Sequence, residues 1–348
     1  MSEVKKTAFF LICFLAGIAS FGNDSEAEKN LAEKSLPSYH KYLKQAGDTQ
    51  NYVGSESCAK CHSDIYDEWK LSQHARMIRS VEEIKQTVPI PFNELEVSED
   101  KIIMVLGSHY VHRFVAEHNG KAVVLPKIWD IRENRWLETY DYGWQSKEYT
   151  KECAGCHTTG FSAENECFTE PGVGCEACHG PGEKHIKTQN PKDIASRHSL
   201  SPEKLEMVCI SCHTSGMDNS YTYSFPVSYR PGDDITKHFS GLTPKPGQTA
   251  ENFSGDESYE DRLRQWTFLK PRLLLASGLT CDYCLNFRNV KKKNEGEYLT
   301  YNQYCMTCHS DKEDHPEQSP GTDCIVCHKP NRHLNGSLSI HDHKFRFE

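Results

Sequence analysis

The chain has 348 residues, 40 Lys+Arg against 49 Asp+Glu for a formal net charge of −9, and 37% hydrophobic residues, with 16 cysteines and 18 histidines. The acidic balance, with no basic block beyond Lys291, Lys292 and Lys293, excludes a nucleic-acid partner, because neutralising phosphates needs a concentrated basic face. The hydrophobic share is below the roughly 45–50% usual for globular domains on a closely similar residue set, so side chains alone leave this length short of core.

In chain order, residues 1–22 read as a secretory signal peptide. Lys5 and Lys6 supply the positive start, Thr7 to Phe21 is apolar but short for a membrane span, and small residues follow at Ala19, Ser20 and Gly22. An uncleaved membrane anchor is the alternative. The mature chain is expected to be exported, periplasmic and soluble, with its cysteines in an oxidising space. Residues 23–50, rich in Glu, Lys, Asp and Ser, read as a flexible lead-in, and residues 51–348 as the working domain. Asp64 to Ile84 has a helical pattern. Lys101 to Leu106, His109 to Ala116, a turn at Asn119 and Gly120, and Lys121 to Tyr140 read as a small antiparallel sheet. Ser201, Pro202 and Glu203 form a helix start leading into Cys209. Tyr221 to Glu257 is mostly loop, and Ser258 to Ala276 is a helix kinked near Pro271.

Cysteine spacing decides the chemistry. Six times the chain reads Cys, any two residues, Cys, His: Cys58/Cys61/His62, Cys153/Cys156/His157, Cys175/Cys178/His179, Cys209/Cys212/His213, Cys305/Cys308/His309 and Cys324/Cys327/His328. This is the pattern of c-type haem attachment. Two thiols add across the vinyl groups of the macrocycle, and the His after the second is held under the iron as axial ligand. A zinc site needs four ligands and no His directly after the pair, and a disulfide needs no His at all. About six covalent haem c groups are therefore expected, in modules at 58–62, 153–213 and 305–328, and their apolar faces would complete the core.

Twelve of the 18 histidines lie outside the motifs, twice the number that six bis-His haems require. Candidate distal ligands are His74, His112, His185, His238, His341 and His343. His74 follows His62 by twelve positions, about 18 Å along a helix. Two axial nitrogens on one iron are only about 4 Å apart, so His74 should serve a neighbouring haem. The same holds more weakly for His185, beyond the turn Gly180, Pro181, Gly182. His341 and His343 flank Asp342 and share one face of an extended segment, so one can bind iron while the other packs beside it.

Tyr52 to Met77 (YVGSESCAKCHSDIYDEWKLSQHARM) resembles the opening of multihaem c-type cytochromes related to the tetrahaem electron acceptor of hydroxylamine oxidoreductase. Val124 to Asp130 (VLPKIWD), Cys153 to Phe161 (CAGCHTTGF), Gly172 to His185 (GVGCEACHGPGEKH) and Ile340 to Phe345 (IHDHKF) fit the same family. The resemblance spans most of residues 52 to 345 and implies distal-ligand roles for His74 and His185. It also implies periplasmic electron transfer through closely stacked haems and a mainly α fold with much irregular structure wrapped around them. To this is added the small antiparallel β insertion at about 100–140. One departure concerns residues 281–284. Cys281 and Cys284 keep the attachment spacing, but Leu285 stands where relatives have His, and Leu274 replaces a family His upstream. Either a haem has been lost and the thiols pair, or one remains with another axial ligand.

The leading functional expectation is an electron carrier acting on redox partner proteins. Because haem propionates add to the −9, such a partner would present a basic docking face. One alternative is a multihaem oxidoreductase acting on a small nitrogen or sulfur oxyanion at a five-coordinate haem. Another is a subunit of a haem filament or of a membrane-associated respiratory complex.

Overall fold

The computed structural model describes residues 51–108, 111–137, 142–196 and 199–243, together with the strand segments β1 (Lys44–Gln45), β12 (Asn331–Leu334) and β13 (Leu338–His341). The signal peptide, most of the lead-in, the helix expected at 258–276, Cys281, Cys284 and His343 lie outside the described residues. So do both C-terminal motifs, with Cys305, Cys308 and His309 of the fifth and Cys324, Cys327 and His328 of the sixth.

A five-stranded antiparallel sheet forms the largest element, in the order β2 (Ile78–Arg79), β3 (Ile102–Leu106), β4 (Val111–His118), β5 (Lys121–Asp130), β6 (Arg135–Leu137). Its central hairpin turns at Asn119 and Gly120, with φ of 50° and 79°, and pairs His118 with Lys121. A two-residue Asn-Gly turn with both φ positive matches the right-handed twist of the flanking strands. Bulges between Ile102 and Met104 and between Arg113 and Val115 shift the alternation, so both sheet faces are apolar. One face, with Met104, Leu106, Val115 and Val124, packs on Tyr149, Ala154 and Phe168. The other, with Val105, Phe114, Leu125 and Trp129, packs on Val81, Ile84, Ile90, Phe92 and Leu95.

Helices are short. They are α1 (Ser55–Ala59), α2 (Ser63–Lys70), α3 (Val81–Lys85), α4 (Tyr149–Glu152), α5 (Ala154–His157), α6 (Cys175–His179), α7 (Glu183–Thr188) and α8 (Pro202–Ile210). Small two-stranded pairings, β7 (Thr158–Thr159) with β9 (Glu170–Pro171) and β10 (Ser215–Asp218) with β11 (Phe239–Thr243), tie the intervening loops. β1 lies parallel to β8 (Cys167–Phe168).

The expected mainly α class is overturned. The longest described helix has nine residues and the longest strand ten, and the sheet carries both large apolar clusters. The reason is local: each Cys-x-x-Cys-His motif needs only one helical turn, whereas the period-two apolar runs at 102–130 build a real core. The helix expected from Asp64 to Ile84 is also divided. α2 ends at Lys70, β2 intervenes, and α3 starts afresh at a capping box in which Ser80 Oγ accepts from Glu83 N and Glu83 Oε2 accepts from Ser80 N. The start of α8 follows the expected pattern, with Ser201 as N-cap and Pro202 in the first turn.

Candidate functional site

Each described motif is one turn of helix. His62 N donates to Cys58 O at 2.9 Å, His157 N to Cys153 O at 3.0 Å and His213 N to Cys209 O at 3.0 Å, while α6 contains the third motif whole. A helical turn puts positions one, four and five on one face, so that turn directs two thiols and an imidazole to the same side at each described motif. Neighbouring chain fixes each turn. Motif 2 presses on the sheet through Ala154 and Cys153, and motif 4 sits on Ile210, Ile235 and Phe239. Gly155 in motif 2 lies under the Phe225 ring, where a Cβ would collide.

The attachment cysteines differ in how far the polypeptide covers them. Cys58, Cys153, Cys156, Cys175, Cys209 and Cys212 are half-buried, whereas Cys61 and Cys178 are exposed. The sequence puts Cys61 on the same footing as Cys58, as one of two equivalent thiols at the edge of an enclosed macrocycle. In the fold the two are unequal: α1 ends at Ala59, and Cys61 lies in the turn beyond it, held through its N–H to Cys58 O at 3.2 Å. Cys308 and Cys327, the corresponding second thiols of motifs 5 and 6, lie outside the described residues.

The structure brings candidate ligands from different segments together in pairs. His62 and His185 face each other with ring centres 6.5 Å apart and planes 11° from parallel. His74 meets His213 at 6.2 Å, edge to face at 89°. Two nitrogens each about 2 Å from one metal, with ring centres roughly 1 Å behind them, put the centres about 6 Å apart. The ring-centre distances of both pairs are close to that spacing. The backbone holds His74 in place, since Val173 N donates to His74 O at 3.1 Å and Gly172, at φ 77°, leaves no room for a Cβ against Ala75 O.

Ring orientation agrees with this use. His185 Nδ1 lies 2.9 Å from Asn190 O and His179 Nδ1 2.7 Å from Ala195 O. A carbonyl on Nδ1 fixes the tautomer with the proton on Nδ1 and Nε2 unprotonated, the form a metal ligand takes. Burial pushes the His74 imidazole toward its neutral form, the form that ligates. His112 is placed differently. Fully buried on β4, it has Nδ1 3.2 Å from Gly107 O and Nε2 3.5 Å from Arg79 Nη2, so protein groups meet both nitrogens. Burial, with the Arg79 charge beside it, pulls it down to about 4. His238 packs edge-on against Tyr229 at 5.9 Å, with Nε2 3.8 Å from Asp233. His341 closes β13.

The attachment sites adjoin one another. The Cys58 thiol hydrogen-bonds to Cys175, which this contact pulls down to about 7 while Cys58 is pushed up. A cleft of about 100 Å³, open to solvent, runs between motifs 2 and 4 and is lined by Cys156, Cys212, Phe161, Phe225 and Tyr229. The Tyr229 hydroxyl is buried there with no hydrogen-bond partner among the described residues, and burial pushes its pKa up. One thiol from each of two motifs, two phenylalanine rings and an orphaned hydroxyl thus share one mixed polar and apolar cleft.

Two residues that the motif search passed over organise the centre of this region. Glu176, 1% exposed, accepts from Val53 N, Gly54 N and Gly182 N, and Glu170 accepts from Ser55 N and Oγ. Glu176 occupies a variable position inside motif 3, so spacing alone gives it no signal; a charged residue within a buried attachment turn is the cue.

Among known proteins, the family model described as cytochrome c554 and c-prime matches residues 57–112 and 127–180. Cytochrome c-554 of Nitrosomonas europaea is 34% identical over 134 residues, covering 27% of this chain and 56% of that one. The multihaem cytochrome MtrA of Shewanella baltica is 26% identical over 149 residues, 40% of this chain and 43% of that one. The chain thus spans about half the length of the curated relatives it matches. The crystal structure of the outer cell wall cytochrome OcwA shares the fold, at TM-score 0.61 and 19% identity, over 85% of this chain and 80% of that one. No helix among the described residues is long and apolar enough to cross a membrane. Motifs that recur at the attachment spacing, imidazoles brought together in pairs, and matches to multihaem cytochromes over part of the chain make it similar to multihaem c-type cytochromes.

Proposed function

We propose that this chain is an exported, periplasmic electron carrier that passes electrons through about six covalently held haem c groups, most of them between two histidines. The observation that carries the reading is the near-parallel pairing of His62 with His185 at 6.5 Å. When bound, haem c supplies a one-electron iron couple whose potential is set by axial donors, burial and nearby charge. The chain's residues do the rest. Paired thiols fix each macrocycle edge, and carbonyls on Nδ1 aim His179 and His185. At the His62/His185 and His74/His213 pairs imidazoles would hold the haem iron from both sides, leaving no position for a substrate, which favours electron passage over bond-making catalysis. The contact of Cys58 with Cys175 supports a short step between the centres of motifs 1 and 3. His238, His341 and His343 remain as donors for the other motifs, and the −9 formal charge favours a redox partner with a basic docking face.

The test is the ferric spin state of the purified holoprotein by electron paramagnetic resonance and optical spectroscopy. Predominantly low-spin iron, unmoved by nitrite, hydroxylamine or cyanide, is expected. Predominantly high-spin iron that shifts on adding those ligands would overturn the reading in favour of an enzyme.

A further inference from the structure

Motif 1 and the helix that carries His185 are far apart in sequence, and neither helix caps itself. Gly54 precedes α1 and Gly182 precedes α7, and both helices lack a side-chain cap. Their leading N–H groups need acceptors from elsewhere. One carboxylate supplies both. Glu176 Oε1 accepts from Gly182 N at 2.6 Å and from Val53 N at 3.0 Å, while Oε2 accepts from Gly54 N at 2.8 Å and again from Val53 N at 3.0 Å. The side chain is 1% exposed, so these bonds work without competition from water. Gly182 is itself part of the fit, because a Cβ there would sit 3.1 Å from Glu176 Oε1.

We propose that Glu176 is the positioning residue that sets His185 opposite His62, by clamping the entry to α1 and the entry to α7 onto the same buried carboxylate. α1 leads into His62 within a few residues and α7 carries His185 in its first turn, so a shift at either entry moves an imidazole directly. The clamp sits inside motif 3, on the turn that holds Cys175 and Cys178, and so ties the geometry of one centre to the axial ligation of another. This rests on reading His62 and His185 as two ligands of one iron, and the test separates the two claims.

The experiment measures ferric spin state and carbon monoxide binding in the reduced holoprotein, for parent, Glu176→Gln, Gly182→Ala and His185→Ala. Glutamine keeps the shape but turns an N–H toward backbone donors that have nowhere else to go. His185→Ala is expected to convert one low-spin centre to high spin and add about one carbon monoxide per chain. Glu176→Gln is expected to reproduce that change at the same centre, with unchanged haem content and the other centres untouched. If His185→Ala changes nothing, the ligand assignment fails. If His185→Ala converts one centre while Glu176→Gln leaves every centre low-spin, or weakens all centres alike, the positioning role fails. Should Glu176→Gln yield no holoprotein, Gly182→Ala decides: added carbon monoxide binding at that one centre supports the clamp, and a parent-like spectrum overturns it.

Discussion

The imidazole of His74 stands edge-on to that of His213, at 89° between planes, whereas His62 and His185 lie within 11° of parallel. The splitting of the iron d orbitals depends on how two axial imidazole planes are turned against each other. The ferric protein should therefore show two distinguishable low-spin resonances, one from a parallel and one from a perpendicular pair. His74→Ala should abolish the perpendicular one, create one high-spin centre and leave the parallel signal in place. Loss of the parallel signal instead, or no change in either, would refute the pairing.

The number of attachment motifs predicts the mass. Mature holoprotein should weigh as the processed chain plus six haems by intact mass spectrometry under denaturing conditions, since thioethers survive unfolding. A seventh haem mass would mean that Cys281 and Cys284 hold one despite Leu285.

Phe114 is fully buried at the centre of the second sheet face, 5.8 Å from the Phe92 ring and 5.5 Å from Trp136. Phe114→Ala should cost about 3–5 kcal/mol in a denaturant melt. Because this cluster lies on the sheet face away from motif 2, the low-spin spectrum at room temperature should not change. A loss under about 1 kcal/mol would argue against the packing described.

Burial holds Glu170 above the usual carboxylate range, partly offset by its bonds from Ser55. A folded pKa above the unfolded one means that folding favours the protonated form. Its stabilising contribution is then complete below the unfolded value and is lost as pH rises through the folded one. Melting temperatures of parent and Glu170→Gln, taken across acidic to neutral pH, should show the parent losing ground to the variant as pH rises. The opposite slope would mean that the Ser55 bonds dominate.

Much of this was legible in the residues themselves. Asn119 and Gly120 between period-two runs announce the hairpin, and Ser201 followed by Pro202 announces α8, because both depend on neighbours a few positions apart. The attachment motifs are local in the same sense, though the unequal covering of Cys58 and Cys61 depends on what the rest of the chain lays over them. The break between Lys70 and Val81 was written in the Ser80 to Glu83 capping box, yet the apolar pattern on either side masked it. The weight of the sheet was underestimated because its two bulges and doubly buried strands blur simple alternation. Glu176 was out of reach of any local rule: its partners Val53 and Gly54 lie 123 and 122 positions away, and only the folded chain puts them in its grasp.

The thiol of Cys58 touches that of Cys175, in the third motif and not the second. If haem c is attached at both motifs, order in space would depart from order in sequence, and the wiring could not be drawn by walking from one end of the polypeptide to the other. The sheet between motifs 1 and 2 would then be a detour of the backbone that the current need not follow. Loops on its far edge could lengthen or shorten without stretching such a route.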